Sequence, residues 1–217
     1  LWIPAGIIVL LILLLALLAA QNLMQAYIVQ QQNAREAAYQ KIVDNHPIYY
    51  KDLIDQYAAE NNLQPAFVAA IILNESSFRP DATAESTGAR GLMQLMEDTA
   101  GWVAHKLDED NASYSFDLLY DAETNIRFGT WYLSYLSRRF GGDVTKIVCA
   151  YHAGQGNVDA WLANPKYSSD GVTLDVIPTQ DTAAYASRVL RARDVYRKYY
   201  FPLPTPQPSP AADSGQL

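Results

Sequence analysis

In the stretch Pro65-Ala66-Phe67-Val68-Ala69-Ala70-Ile71-Ile72-Leu73-Asn74-Glu75-Ser76-Ser77-Phe78 an apolar run ends on a single carboxylic acid. Proline suits the first turn of a helix, where its missing N–H costs nothing. The run from Ala66 to Leu73 is too apolar for a surface helix, so it predicts a helix buried nearly all round. Three, four and seven residues before Glu75 stand Ile72, Ile71 and Val68, which places the carboxyl on an apolar stripe rather than beside a cation. Desolvation at such a site raises a carboxyl pKa. An acid held protonated near neutral pH can give its proton to a leaving oxygen, the first requirement for breaking a glycosidic bond. Glu75 is therefore the candidate general acid. A lone Glu at a helix end more often points to water, and its neighbours have to decide between the two readings.

Those neighbours are Glu75-Ser76-Ser77-Phe78-Arg79-Pro80, then Gly88-Ala89-Arg90-Gly91-Leu92-Met93-Gln94-Leu95-Met96 with Thr99-Ala100 after it. Further on come Asn125-Ile126-Arg127-Phe128-Gly129 with Tyr132-Leu133, and Ala150-Tyr151-His152-Ala153-Gly154-Gln155-Gly156-Asn157-Val158. Last comes Ile177-Pro178 through Asp181-Thr182, Tyr185 and Arg188-Val189. In this order the segments closely resemble the soluble lytic transglycosylase family, which cleaves bacterial peptidoglycan. The likeness covers roughly residues 47 to 200. It implies a mainly α, lysozyme-like domain, cleavage between N-acetylmuramic acid and N-acetylglucosamine, and one catalytic Glu at the position of Glu75. By the same likeness Met93 and Gln94 line the glycan cleft, Tyr151 sits near the scissile bond, and Asp181 and Tyr185 border the neighbouring sugar site. Read without the family, Gln94 is a lone amide among apolar residues that needs hydrogen-bond partners from sugar or from backbone. Tyr151 and Met93 are equally at home in a helical core.

The chain departs from the family pattern in places. His152 stands where Asn is usual; histidine too donates and accepts hydrogen bonds but, unlike Asn, is a side chain that can carry a charge, so a pH-dependent cleft is one expectation. His46, His105 and His152 have no metal-ligand spacing, and His152 is read as a structural or sugar-contact replacement with no metal site. Asp181 replaces the usual Glu and is one methylene shorter, so a sugar contact there is lost or made through water. It serves equally as an acidic residue at the start of a helix running to Tyr200. Glu97 replaces a usual Pro and is assigned to a helix surface. Ser86, in the loop Ala84-Glu85-Ser86-Thr87-Gly88, is assigned to substrate binding, with a plain turn as the alternative.

Hydrolases of this kind use a second carboxylate to activate water or attack the sugar. Asp81, Glu85, Asp98 and Asp181 are all available, yet each falls in a loop or at a helix start. The resemblance implies a route with one acid. Glu75 protonates the leaving oxygen, then takes the proton from the muramic acid C6 hydroxyl, which closes onto C1 to give a 1,6-anhydromuramic acid end. The substrate's N-acetyl group stabilises the charge developing at C1, and water is not a reactant. The alternatives are a lysozyme-type muramidase and a non-catalytic peptidoglycan-binding scaffold.

Leu1 to Ala20 carries no charge, and at about 1.5 Å rise per residue is nearly long enough to cross a bilayer core. Residues 1–20 are read as a single transmembrane anchor, with a cleaved signal segment as the alternative; a small residue is missing from the upstream position of a cleavage after Ala19 or Ala20. Residues 21–46 are rich in Gln, Ala and Asn and are read as a helical stalk or flexible linker. Residues 47–200 form the catalytic domain, and the alternating prolines from Pro202 to Pro210 make 201–217 a disordered tail. Because peptidoglycan lies outside the cytoplasmic membrane, a single-pass anchor puts the domain on the extracytoplasmic side.

Within the domain, Ile126, Gly129, Leu133, Leu136 and Phe140 keep helical spacing, as do Tyr185, Val189, Ala192, Tyr196 and Tyr199, and predict two long core-facing helices. Val172-Thr173-Leu174 is the best candidate for a short extended piece. Gly141-Gly142 separates helices, and Gly154 and Gly156 are placed in the turn after Tyr151. A formal net charge of -7 without a Lys/Arg block leaves no footprint for nucleic acid. Cys149 is the only cysteine and its apolar setting reads as core. No phosphate-binding loop occurs, so no cofactor is expected. The partners expected are peptidoglycan glycan strands and, through the first helix, a membrane.

Overall fold

A computed structural model of the chain describes residues 4–107 and 114–202. Most of the Pro-rich tail, from Leu203 onward, lies outside them. The chain divides between Asn45 and His46 into two compact units.

The first unit is one helix, α1, Ala5–Asn45, of 41 residues. It runs on through Ala20 and Gln21 without a break, and Arg35 is the first charge along it. Its apolar side chains are exposed, Leu10 by 70% and Leu15 by 65%. At about 1.5 Å per residue, its length and apolar start are enough to cross a membrane.

The second unit is helical, as the sequence predicts. Its elements are α2 (Lys51–Glu60), α3 (Pro65–Ser76), α4 (Glu97–Lys106), a short 3-10 helix (Phe116–Tyr120), α5 (Ala122–Arg139), α6 (Val144–Ala153), α7 (Gln155–Leu162) and α8 (Gln180–Tyr199). Helix α3 begins on Pro65 at its first turn and is the centre of the core: every residue from Ala66 to Ile72 is at most 5% exposed. It packs chiefly against α8 and also against α2, while α6 packs against α5, α7 and α8. Each Val, Ile or Phe buried in this way contributes roughly 1.5–3 kcal/mol.

The expected stripes are in place. On α5, Ile126, Gly129, Leu133 and Leu136 are buried, with Phe140 just beyond its end. On α8, Tyr185, Val189, Ala192 and Tyr196 face the core and Tyr199 is half-buried. Asp121 caps α5 by accepting from the Thr124 N–H at 2.9 Å, and Asp143 caps α6 by accepting from Lys146 N–H at 3.1 Å; each such cap is worth about 1 kcal/mol. Cys149 is buried, and burial pushes its thiol up to about 11.

Two expectations are corrected. Val172-Thr173-Leu174 forms no strand. The Asp170 carboxylate accepts from the Val172 and Thr173 N–H groups at 2.8 and 2.6 Å and from the Thr173 hydroxyl at 2.8 Å, so these donors are used in a local turn rather than a ladder. The same bonds hold the Asp170 carboxyl down at about 2. Isolated bridges join Thr83 to Arg90 and Arg90 to Leu95, the nearest approach to a sheet among the described residues. Gly156 lies inside α7, so the turn after α6 rests on Gly154 alone, at φ 88°.

Candidate active site

Glu75 is the penultimate residue of α3. The helix stops because Ser77 and Phe78 both turn left-handed, at φ 52° and 62°, with the Ser77 N–H returned to the Leu73 carbonyl at 3.1 Å. Left-handed backbone is costly for residues with a side chain, above all a bulky one. Burial holds it here. Phe78 is 4% exposed and packs edge-on against Tyr49 and Tyr196. Ser76 is buried and donates to the Leu92 carbonyl at 2.8 Å, tying the end of α3 to the segment Gly91-Leu92-Met93-Gln94.

That segment is built on glycine and asparagine. Gly91 has φ 75°, and a Cβ there would stand 2.1 Å from the Leu119 carbonyl oxygen and 2.2 Å from Asn125 Nδ2. Asn125, fully buried on α5, donates to the Arg90 and Leu119 carbonyls at 3.0 and 2.9 Å and accepts from the Met93 N–H at 2.8 Å. Met93 is fully buried, and its sulfur occupies the space a Cβ on Gly129 would need. Gln94 then turns left-handed at φ 47°. Its amide nitrogen donates to the Ala82 and Gly91 carbonyls at 3.1 and 2.9 Å, so backbone satisfies its donors, and its oxygen accepts no hydrogen bond among the described residues.

Tyr151 donates to the Met93 carbonyl at 2.7 Å. With Gln94, Leu95, Met96, Thr99, Tyr132 and His152 it lines a cavity of about 190 Å³. Burial and the nearby Glu75 carboxylate both hold the Tyr151 hydroxyl protonated, its pKa well above the ordinary value.

Glu75 is half-buried. Its carboxyl pKa is raised, because desolvation outweighs three opposing effects: the hydrogen bond from Tyr185 and the charges of His152 and Arg188. The Tyr185 hydroxyl donates to Glu75 Oε1 across 110 positions of sequence. Burial and the same carboxylate keep that hydroxyl protonated, which fixes it as the donor. Arg188 lies over the Tyr185 ring, 5.9 Å from its centroid. The carboxyl is thus not on a purely apolar stripe. The stripe comes from its own helix, and the cation comes from α8.

His152 stacks on Tyr185, centroids 4.3 Å apart and planes 15° from parallel, while its Nε2 meets Asp181 Oδ2 at 2.8 Å. Asp181 and Tyr185 stand one turn apart on α8, so the imidazole is gripped at its face and its edge by one helix. Asp181 also lies in the first turn of α8, as its reading as an acidic residue at a helix start expects. Glu75, Tyr185, His152 and Asp181 therefore form a connected group, and Gln94 and Tyr151 line the adjoining cavity; Met93, expected in the cleft wall, is instead fully buried against Gly129. Ser86 lies exposed in the turn 85–87, without a hydrogen bond to either. Sequence reasoning gave no role to Asn125 or Arg188. Both stand inside the quoted motifs, Asn125 four residues before Gly129 and Arg188 three residues after Tyr185, and that placement was the available signal. Among the described residues no three His, Cys, Asp or Glu side chains converge as metal ligands would.

Comparison with known proteins agrees with this geometry. The chain is 35% identical over 158 residues to a soluble lytic murein transglycosylase of Escherichia coli K12, a match covering 72% of this chain and 24% of that protein. It is 30% identical over 176 residues to a membrane-bound lytic murein transglycosylase C of Yersinia pestis, covering 72% and 49%. It thus spans between a quarter and a half of these curated relatives. Among solved structures, the 70 kDa soluble lytic transglycosylase of E. coli superposes with a TM-score of 0.65 at 31% identity, covering 75% of this chain and 26% of that one. The lytic transglycosylase Slt of Pseudomonas aeruginosa, solved as an inactive mutant with a Glu replaced by Gln, gives 0.64 at 31%, covering 73% and 26%. Residues 52–172 match the family described as the transglycosylase SLT domain, and the chain belongs to that family.

Proposed function

We propose that the chain is a membrane-anchored lytic transglycosylase that cleaves the β-1,4 bond between N-acetylmuramic acid and N-acetylglucosamine in peptidoglycan, leaving a 1,6-anhydromuramic acid end. The observation that carries this reading is the raised, half-buried Glu75 carboxyl held by the Tyr185 hydroxyl, with His152 and Arg188 as the charged groups that act on it, while the Asp181 carboxylate of the same group is taken up by His152 Nε2 at 2.8 Å. A hydrolase needs a second acid within roughly 5–9.5 Å. A transglycosylase needs one acid that works twice.

In the first step Glu75, protonated, gives its proton to the glycosidic oxygen as the bond to C1 breaks. In the second, the Glu75 carboxylate takes the proton of the C6 hydroxyl as that oxygen bonds to C1, restoring the acid. Desolvation favours the protonated starting form; the Tyr185 donor and the Arg188 charge favour the carboxylate formed between the steps. Gln94, Tyr151, His152, Asp181 and Ser86 are proposed to contact substrate, the Gln94 oxygen being the clearest acceptor.

We assign the apolar start of α1 to the membrane, its polar remainder to a stalk, and the catalytic domain to the extracytoplasmic side where peptidoglycan lies. A relative whose name describes it as membrane-bound supports the anchoring. The test is mass spectrometry of purified peptidoglycan digested by the full chain in detergent, beside Glu75→Gln. Anhydromuropeptides from the parent and none from the variant are expected. Reducing ends carrying added water would make it a muramidase instead, and glycan binding without any product would make it a scaffold.

A further inference from the structure

A separate hollow of about 230 Å³ lies where the loops joining α2 to α3 and α5 to α6 meet α8. It is remote from the catalytic carboxyl. Phe67, which lines it, stands eight residues before Glu75 on α3, and Arg193 stands eight after Tyr185 on α8. At about 1.5 Å rise per residue, that sets it roughly 12 Å along both helices from the site. No residue lines both this hollow and the catalytic cavity.

Leu63, Phe67, Val144 and Ile147 give the hollow an apolar wall, and Arg193 and Arg197, one turn apart on α8, give it two guanidinium groups. The Asp194 carboxylate accepts from Arg193 at 3.1 Å and stands 3.3 Å from Arg197, so it offsets one of the two charges and leaves the other. Arg193 Nε is sealed from solvent with no hydrogen-bond partner among the described residues. An unpaired buried donor on a charged group is costly. A turn of the guanidinium toward an acceptor in the hollow would remove that cost. Asn62 and Gln64, both exposed, add amide groups at the edge.

A guanidinium fork matches a carboxylate in shape and in charge. One uncompensated positive charge suits a carboxylate better than a doubly charged phosphate, and the apolar wall suits a short hydrocarbon group attached to it. We propose that this hollow binds a carboxylate carried on a short apolar group, as at the free end of a peptide. The site stands on its own residues and does not depend on the reaction at Glu75.

The test titrates the full chain in detergent with the acetylated alanine dipeptide, its carboxy-terminal amide and butyrate, followed by saturation-transfer NMR. The free dipeptide acid is expected to bind saturably with a Kd of about 1 mM or below, and the amide at least about tenfold more weakly, the scale of one lost charge-assisted hydrogen bond. Arg193→Gln should lose affinity to the same degree. Arg197 is half exposed, so Arg197→Gln keeps the fold and should weaken binding about threefold; thermal melts of both variants check that they remain folded. Tighter binding of the dipeptide than of butyrate assigns the site to a peptide end, and equal binding assigns it to free short-chain acids. Glu75→Gln should bind as the parent does. Loss of binding in Glu75→Gln, which would seat the probe in the catalytic cavity, overturns the site. So does the absence of saturable binding, equal affinity for acid and amide, or full affinity in Arg197→Gln and in folded Arg193→Gln.

Discussion

The two ends of α3 do opposite things with the same apolar helix. At the amino-terminal end, from Pro65 to Ile72, the backbone is regular and the side chains are sealed in the core. At the other end, a carboxyl sits on the same apolar surface, two non-glycine residues turn left-handed, and the contacts come from distant segments: Leu92 to Ser76, and Tyr185 to Glu75. The first end accumulates burial; the second uses it to hold an unfavourable charge and a strained turn. Desolvation is the link, since the core that stabilises Phe67 and Val68 is also what lifts the Glu75 pKa.

The largest effect that sharpens this contrast is Glu75→Gln. With the acid gone, the release of anhydromuropeptides is expected to fall by about 10²–10⁴-fold, the usual share of a general acid–base group. A residual rate near the parent's would move the chemistry away from Glu75. The same variant should be more stable than the parent at neutral pH. The folded-state pKa of Glu75 is raised, so the folded chain binds more protons than the unfolded one between the two pKa values, and stability from this group is complete below the unfolded value of about 4.3 and lost as pH rises through the folded one. Gln does not ionise. Its advantage in thermal melts should shrink as pH falls toward 4, and an advantage independent of pH would mean that desolvation is not its source.

At the opposite end of the helix, Phe67→Ala empties a site that is 5% exposed and should cost about 3–5 kcal/mol of stability. Turnover by the molecules that remain folded should match the parent. Urea unfolding gives the first quantity and rates well below the melting temperature give the second. A fall in turnover without a fall in stability would break the division of labour along α3.

The sequence made one end of α3 far easier to read than the other. Proline at the first turn followed by an unbroken apolar run admits few structures, and α5 and α8 show their buried faces by spacing alone. Apolar content did not by itself say what covers a helix: α1 is as apolar at its start as α3, yet its side chains lie exposed while those of α3 lie inside protein. Length separates them. At the candidate site, the order of motifs nominated Glu75, Gln94 and Tyr151, but the bond from Tyr185 to Glu75 depends on how α8 lies across α3, which no local pattern encodes. Arg188 is hidden for the same reason: its effect on Glu75 arises between helices. The misread segment at Val172-Thr173-Leu174 has strand-like residues, but Asp170 captures their N–H groups first, a competition that β propensity alone does not register.

The smallest effect probes the strain itself. Ser77 stands left-handed at φ 52° as the cap of α3, is exposed, and has its N–H on the Leu73 carbonyl. Glycine takes this conformation freely, though it also adds entropy to the unfolded chain. Relief of roughly 1–2 kcal/mol against about 0.5–1 kcal/mol of entropy leaves Ser77→Gly more stable by up to about 1.5 kcal/mol. If the turn only ends the helix, activity should stay at the parental level. If its stiffness also fixes the direction of the neighbouring carboxyl, turnover falls while stability rises. Melting temperature and anhydromuropeptide release on the same preparation distinguish the two, and a loss of stability would mean that the Ser77 side chain contributes more than its backbone costs.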